Sequence, residues 1–216
     1  MSSRENILAR IRAKQGKPAA PTAAERDAVR AHIAAHPQNA RPRVDWEPLA
    51  RFRGEALRLS STVDAVDDIA AVPAAVARYL EAAGLSRAAV CWPELTTLDW
   101  AGAGVSVEAR EARDGDLVGI TGAYCAIAET GTLITVSGSR TPASVSLLPE
   151  THIAVLRASR VVDGMEDAWR LLREEHGEPP RAVNFISGPS RTADIEQTVT
   201  LGAHGPYRVH IIVTLA

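Results

Sequence analysis

Residues 57–92 read LRLSSTVDAVDDIAAVPAAVARYLEAAGLSRAAVCW, and this stretch decides the fold class. Residues 57–63 form a short strand-like run, and residues 66–83 have the apolar spacing of a helix that ends at Gly84. Residues 88–92 are strand-like again. The order strand, helix, strand is typical of crossover units on a parallel sheet.

The alternation of strands and helices continues along the rest of the sequence. Further strands are predicted at residues 105–107, 117–121, 132–136, 153–156, 182–186 and 209–215, and further helices at residues 165–176 and 191–200. The sequence therefore predicts an α/β fold with a doubly wound, mostly parallel sheet flanked by helices.

An N-terminal helical arm is predicted ahead of this sheet. Residues 3–14 and 22–36 have helical patterns, and we place the boundary near Leu57, with the arm at residues 1–56 and the α/β domain at residues 57–216. Residues 1–60 carry 12 Lys plus Arg against 6 Asp plus Glu, whereas the rest of the chain carries 12 against 20. No nucleic-acid motif accompanies the basic arm, so a solvated helical face or a protein-docking arm is favoured.

The composition excludes several classes of protein. With 46% hydrophobic and 23% charged residues, the chain is typical of a globular protein, and no apolar run approaches the roughly 18 residues of a membrane span. We therefore expect a cytoplasmic protein.

Cys91 and Cys125 have no partner at metal-ligand spacing, so we expect buried free thiols and no metal site or iron–sulfur cluster in this chain. The absence of a G-x-G-x-x-G turn disfavours a nicotinamide or flavin enzyme.

The first candidate site lies in residues 119–133, GITGAYCAIAETGTL. Glu129 follows a small-residue segment, Thr130 and Thr132 add hydroxyls, and Gly131 allows a sharp turn beside the acid. Such a carboxylate can act as a nucleophile or general base where its environment tunes it. The alternative is that Glu129 only caps a turn.

The second candidate site lies in residues 186–196, ISGPSRTADIE. A predicted strand ends here and a predicted helix begins, so the side chains and free amides of Ser187, Gly188, Ser190, Arg191 and Thr192 are candidates for binding a phosphate or carboxylate. The alternative is that Ser190 is a helix N-cap.

Two histidines complete the set of candidate ligand-binding residues. His152 and His204 both lie at predicted junctions between a loop and a strand. No second histidine or cysteine stands at metal-ligand spacing, so we assign them no metal, and a hydrogen-bonded structural role is the alternative.

Taken in order, residues 119–133, 146–154, 186–196 and 201–206 resemble the successive signatures of the lactate-utilization protein C family, which carries the LUD domain. The resemblance covers about residues 57–216. It implies a fold related to sugar-phosphate isomerases and coenzyme A transferases. The chain departs from the family at Tyr124, where relatives often have an acidic residue, and at Cys125, where they often have an aromatic one. These departures argue against an acidic-pair mechanism at Glu129.

The resemblance also implies a function, in which the protein is a subunit of a system that oxidises L-lactate to pyruvate with partner proteins that carry the iron–sulfur centres. We prefer an accessory subunit that binds a small anion to an independent catalyst. The first alternative is a stand-alone enzyme, similar to a coenzyme A transferase or sugar-phosphate isomerase, that uses Glu129. The second is a structural scaffold, and a homo-oligomer is left open. An anion pocket requires the loops bearing Glu129 and Arg191 to meet on one rim of the sheet.

Overall fold

The computed structural model describes residues 2–18, 20–41, 44–192 and 200–216. Its contacts divide the chain into two compact units, one up to residue 43 and a larger one that begins at Val44. None of the helices in the described part of the chain has the length and apolar sequence of a membrane span.

The first unit contains the two predicted helices, α1 (Ser3–Lys14) and α2 (Ala23–Ala35). Each begins with a capping box, in which a Ser or Thr side chain and a Glu side chain satisfy each other's backbone N–H groups. Neither helix buries a residue. Contacts between the helices include the ion pair of Arg12 with Glu25 at 3.0 Å. The Thr22 backbone N–H and Arg12 lower the pKa of Glu25 to about 2, so this unit is organised by polar contacts.

The second unit contains four α-helices, three short 3-10 helices and twelve strands among its described residues. In chain order the α-helices and strands are α3 (Pro48–Arg58), β1 (Thr62–Val66), α4 (Val72–Ala82), β2 (Ala88–Cys91), β3 (Ser106–Ala109), β4 (Val118–Gly122), β5 (Cys125–Ile127), β6 (Thr132–Val136), α5 (Ser144–Leu147), β7 (Thr151–Arg157), β8 (Val161–Val162), α6 (Met165–His176), β9 (Val183–Ile186), β10 (Arg191–Thr192), β11 (Thr200–Leu201) and β12 (Arg208–Thr214).

The central sheet has six strands in the order β1-β12-β7-β4-β2-β3, and every neighbouring pair is parallel. Strands β7 and β12 lie inside it and are buried on both faces, which explains their nearly continuous apolar sequences. The predicted α/β class with a parallel sheet flanked by helices is confirmed.

A second sheet was not predicted from the sequence. It has four strands in the order β8-β5-β6-β9, and it mixes one parallel pair with two antiparallel pairs. Strands β5 and β8 have only three and two residues, too few to show a period of two. The hairpin β5-β6 brings residues 125–133 of the first candidate segment into this second sheet, whereas residues 119–122 belong to β4 of the central sheet.

Layers of side chains connect these elements. Helix α4 covers one face of the central sheet through Val72, Val76 and Leu80. On the other face, Phe52 and Ala56 of α3 pack with apolar residues of β7, β12 and the second sheet. The far face of the second sheet packs against Ala168 of α6.

Helix α3 corrects the expectation of a strand at residues 57–63. The helix runs to Arg58 and β1 begins at Thr62, because Phe52 and Ala56, four residues apart, are both fully buried. Glu47 caps the helix through the N–H groups of Leu49 and Ala50. The compact unit that begins at Val44 therefore includes α3, which the sequence placed in the arm.

Two buried histidines lie on opposite faces of the central sheet. His152 of β7 contacts Thr121 Oγ1 through Nε2 at 2.8 Å, and His210 of β12 contacts Thr62 Oγ1 through Nδ1 at 2.8 Å while stacking on Tyr79. Burial lowers the pKa of each from 6.5 to about 4. Both are therefore neutral in the folded protein at pH 7.

These histidines predict a loss of stability in mild acid. Since each takes up a proton near pH 6.5 in the unfolded chain but only near pH 4 in the folded chain, their contribution is complete above pH 6.5 and declines as the pH falls. Between pH 7 and pH 5 we expect a loss of about 2 kcal/mol per histidine. Urea unfolding across this range should show a smaller loss for His152→Gln than for the parent protein. His32→Gln, at an exposed position of α2, is the control. If the free energy of unfolding of His152→Gln falls with pH as steeply as that of the parent protein, the prediction is contradicted.

Candidate functional site

Residues 128–131 of the first candidate segment form the turn between β5 and β6. The backbone N–H of Glu129 donates to the Asp163 carbonyl at 3.0 Å, which fixes the end of β5 beside the end of β8. The Glu129 side chain is half-buried, and Gly131 has a φ of +63°. This is the left-handed region that glycine adopts without the steric cost of a Cβ atom.

Gly131 also lies directly against α3. A Cβ atom at this position would be 2.5 Å from the Ala56 amide nitrogen and 2.8 Å from Glu55 Cβ. The Glu129–Gly131 turn therefore rests on the second half of α3, next to Glu55. Glu55 is buried and bonded to two arginines, by Arg51 Nη2 at 3.0 Å and by Arg58 Nη2 at 2.6 Å.

A chain of three hydroxyls joins the two predicted motifs. Thr130 Oγ1 lies 2.7 Å from Thr132 Oγ1, which lies 2.7 Å from Ser187 Oγ. Thr132 and Ser187 come together because β6 and β9 are antiparallel and Leu133 pairs with Ile186. Thr132 is buried, whereas Thr130 and Ser187 are exposed, so the chain of hydroxyls reaches solvent at both ends.

The second candidate segment contacts the end of α3. Gly188 has a φ of +84°, and a Cβ there would collide with the Leu59 carbonyl oxygen. Arg191 Nη2 donates to the same Leu59 carbonyl at 3.0 Å and to Ser60 Oγ at 2.5 Å. The first motif therefore packs on the second half of α3 and the second motif on the residues that directly follow it, and Thr132 and Ser187 connect the two motifs. The described hydrogen bonds of Arg191 go to Leu59 and Ser60 and not to Glu129.

The helix expected at residues 191–200 does not begin at Arg191. Arg191 and Thr192 form strand β10, paired antiparallel with Thr200 and Leu201, and residues 193–199 lie outside the described part of the chain. Gly202 N–H donates to the Ser190 carbonyl at 2.9 Å and extends this ribbon. The prediction that a helix N-terminus at Ser190 binds an anion is therefore wrong. The side chains of Arg191 and the neighbouring hydroxyl residues remain candidates for binding one.

The remaining predicted ligands are dispersed. His152 is fully buried inside the sheet, whereas His204 is exposed in the loop before β12. The backbone of Gly205, the next residue, lies close to Ser190. Thus Ser190 neighbours the loop of His204, while His152 is not on the surface formed by the two motifs.

Sequence reasoning missed the role of α3. Leu59 and Ser60 bind Arg191, and Glu55 lies beside the Glu129 turn, but all three belong to a stretch read as arm or strand. One available signal was Glu47-Pro48, an acidic N-cap followed by proline, which is a typical helix start.

A further rim position also went unnoticed. In the central sheet, β3 lies on one side of β2, and β4 lies on the other side. The next strand of this sheet after β4 is β7, which lies still further from β3, so the direction in which strands are added reverses between β2 and β4. Ligands of open α/β sheets bind at such reversals, at the carboxyl ends of the strands. Here Glu94 lies against Gly122, so close that a Cβ on Gly122 would collide with the carboxylate.

Both cysteines are free and buried, as expected. Burial raises the pKa of Cys91 to about 11 and that of Cys125 to about 12. Tyr124, next to Cys125, is the other position at which the chain departs from the family pattern. Its ring packs under the guanidinium of Arg160, whose Cζ atom lies 4.7 Å from the centroid of the tyrosine ring. Among the described residues, no group of three or more His, Cys, Asp or Glu is placed to hold a metal ion.

The chain is thus an α/β protein with a parallel six-stranded sheet, a small second sheet and two glycine-containing turns that pack against one helix and its C-terminal end. The model of the family described as the LUD domain matches residues 76–214. The chain belongs to the LUD domain family, which confirms the resemblance seen in the motifs.

Individual relatives agree with this assignment. A protein named lactate utilization protein C from Shouchella clausii is 43% identical over 110 residues, which are 50% of this chain and 47% of that protein. The protein of the same name from Bacillus subtilis is 35% identical over 131 residues, 55% of each chain. This chain thus spans about half the length of the curated relatives it matches.

A solved structure supports the fold. The crystal structure of a DUF162 family protein from Deinococcus radiodurans is similar with a TM-score of 0.61 and 26% sequence identity. The match covers 81% of this chain and 100% of that one.

The contact of Gly131 with α3 yields a stability prediction. Gly131→Ala places a methyl group against the α3 backbone in a left-handed conformation, and we expect a loss of about 3 kcal/mol. Gly84→Ala is the matched control, because Gly84 has a φ of +65° and an added methyl group there would have nothing within 4 Å. It should lose only about 1 kcal/mol. Urea unfolding measures both, and equal losses would rule out the close approach to α3.

Proposed function

We propose that this protein is a subunit of a lactate-utilization system that oxidises L-lactate to pyruvate in the cytoplasm, together with iron–sulfur partner proteins. The names of the curated relatives support this role, and family membership supports it over nearly two thirds of the chain. Removing two electrons from lactate requires an electron acceptor. In this proposal the redox centres lie on the partners, and the two buried, protonated thiols of this chain take no part in electron transfer.

We further propose that the surface formed by the two motifs binds the carboxylate of a small anion. The observation that carries this proposal is the contact between Thr132 and Ser187, since it joins an acidic turn to a segment bearing an arginine. Arg191 supplies a permanent positive charge, and the hydroxyls of Thr130 and Ser187 supply further donors. In this arrangement Glu129 accepts a hydrogen bond from a hydroxyl group of the ligand.

A second candidate function is a stand-alone enzyme similar to a coenzyme A transferase or sugar-phosphate isomerase. Glu129 favours it, because this acidic residue is half-buried and its backbone N–H is bonded to the Asp163 carbonyl. In acyl transfer the carboxylate attacks the thioester carbonyl, so that an acyl–oxygen bond forms and the thiolate leaves. The isomerase alternative uses the same carboxylate as a base.

Genetic complementation tests the lactate proposal. Deleting the gene should abolish growth on L-lactate but not on pyruvate, and the intact gene should restore it. Arg191→Ala should fail to restore growth, because the anion loses its charged partner, while the exposed Arg181→Ala should restore it fully. Equal growth of the deletion strain and its parent on L-lactate would refute the proposal.

Purified protein tests the second candidate separately. It is incubated with acyl-CoA donors and carboxylate acceptors, and in parallel with phosphosugars, and product is followed by chromatography. Turnover that disappears in Glu129→Gln supports an enzyme, and the absence of turnover with either substrate class removes this candidate.

A further inference from the structure

A serine follows the C-cap of α3 in a backbone conformation that residues other than glycine rarely adopt. Ser61 N–H donates to the Ala56 carbonyl and Ser60 N–H to the Leu57 carbonyl, each at 2.9 Å, which is the Schellman pattern of a helix C-terminus. The residue that follows the cap in this pattern is left-handed and is usually glycine. Here it is Ser60, with a φ of +69°.

The hydroxyl of Ser60 provides a reason for this choice. Ser60 Oγ accepts a hydrogen bond from Arg191 Nη2 at 2.5 Å, and the Leu59 carbonyl accepts from the same nitrogen at 3.0 Å. Glycine would remove the backbone strain but would leave Arg191 with the Leu59 carbonyl alone. A strained residue whose side chain makes a specific contact points to a functional constraint.

The contact immobilises one corner of the guanidinium. Two acceptors use both hydrogens of Nη2, and Nη1 and Nε have no hydrogen-bond partner within the part of the chain that the structure describes. Arg191 is exposed, and Gly188 seats the same segment on Leu59. The side chain is thus held at the end of α3 while other donors remain for a ligand.

We propose that Ser60 is a positioning residue for anion binding, because it holds Arg191 so that the Nη1 and Nε donors meet a small oxyanion next to Ser187. This inference rests on the anion site proposed above. Ser60 itself does not touch the ligand, and its effect on affinity passes through Arg191. Preorganising a charged side chain reduces the entropy lost when the ligand binds.

Calorimetric titration of the full chain with L-lactate, and separately with inorganic phosphate, tests the proposal. Arg191→Ala should abolish binding of whichever of the two probes the parent protein binds. Ser60→Ala and Ser60→Gly should both weaken it by roughly 3- to 10-fold, the effect of one lost hydrogen bond. Ser60→Asn keeps an acceptor and tolerates the left-handed conformation, so it should restore affinity.

A stability measurement separates positioning from simple capping of α3. Ser60→Gly lacks the strain of Ser60→Ala, so its melting temperature should be higher by about 2–4 °C. The two variants should nevertheless bind the anion equally weakly. Affinity that follows melting temperature instead would show that Ser60 acts only on helix stability, which overturns the inference.

The remaining outcomes distinguish the two proposals. If the parent protein binds neither probe, or if Arg191→Ala binds as well as the parent, the anion site and the inference both fail. If Arg191→Ala abolishes binding but Ser60→Ala and Ser60→Gly bind normally, the anion site stands and the role of Ser60 is refuted.

Discussion

The close approach of two glycines to helix α3 is the constraint on which the second unit depends. Gly131 and Gly188 both have positive φ angles, and each places its backbone where a Cβ atom would collide with α3 or with Leu59 at its end. Because Gly131 connects β5 to β6 and Gly188 follows β9, these contacts seat the second sheet on the helix. Phe52 and Ala56 bury the same helix in the core, so one short helix links the candidate site to the hydrophobic interior.

The parallel sheet could be predicted from local sequence patterns, because its inner strands β7 and β12 are apolar on both faces. Helix α3 could not be placed in the same way. The run LRLSSTV at residues 57–63 resembles a strand, and what makes its beginning helical is the burial of Phe52 and Ala56 against distant strands. Burial by non-local partners is a property of the fold that a short window of sequence does not contain.

The same limit applies to the candidate site. Both motifs were recognisable, but the meeting of Thr132 and Ser187 depends on the pairing of β6 with β9, two strands far apart in the sequence. The helix expected from Arg191 gave way at Arg191 and Thr192 to a ribbon with Thr200 and Leu201, and His152 proved to be buried. In each case the residue types in a short stretch of sequence suggested a role. The actual position of those residues depends on which strands pair.

Burial of both cysteines sets the reactivity of the folded chain toward thiol reagents. With a pKa of about 11, Cys91 is ionised in only about one molecule in ten thousand at neutral pH, and Cys125 in fewer. Since the thiolate is the species that exchanges with disulfides and reacts with peroxides, both thiols are protected from disulfide exchange and oxidation while the chain is folded. Reactivity with alkylating reagents therefore reports unfolding of the core.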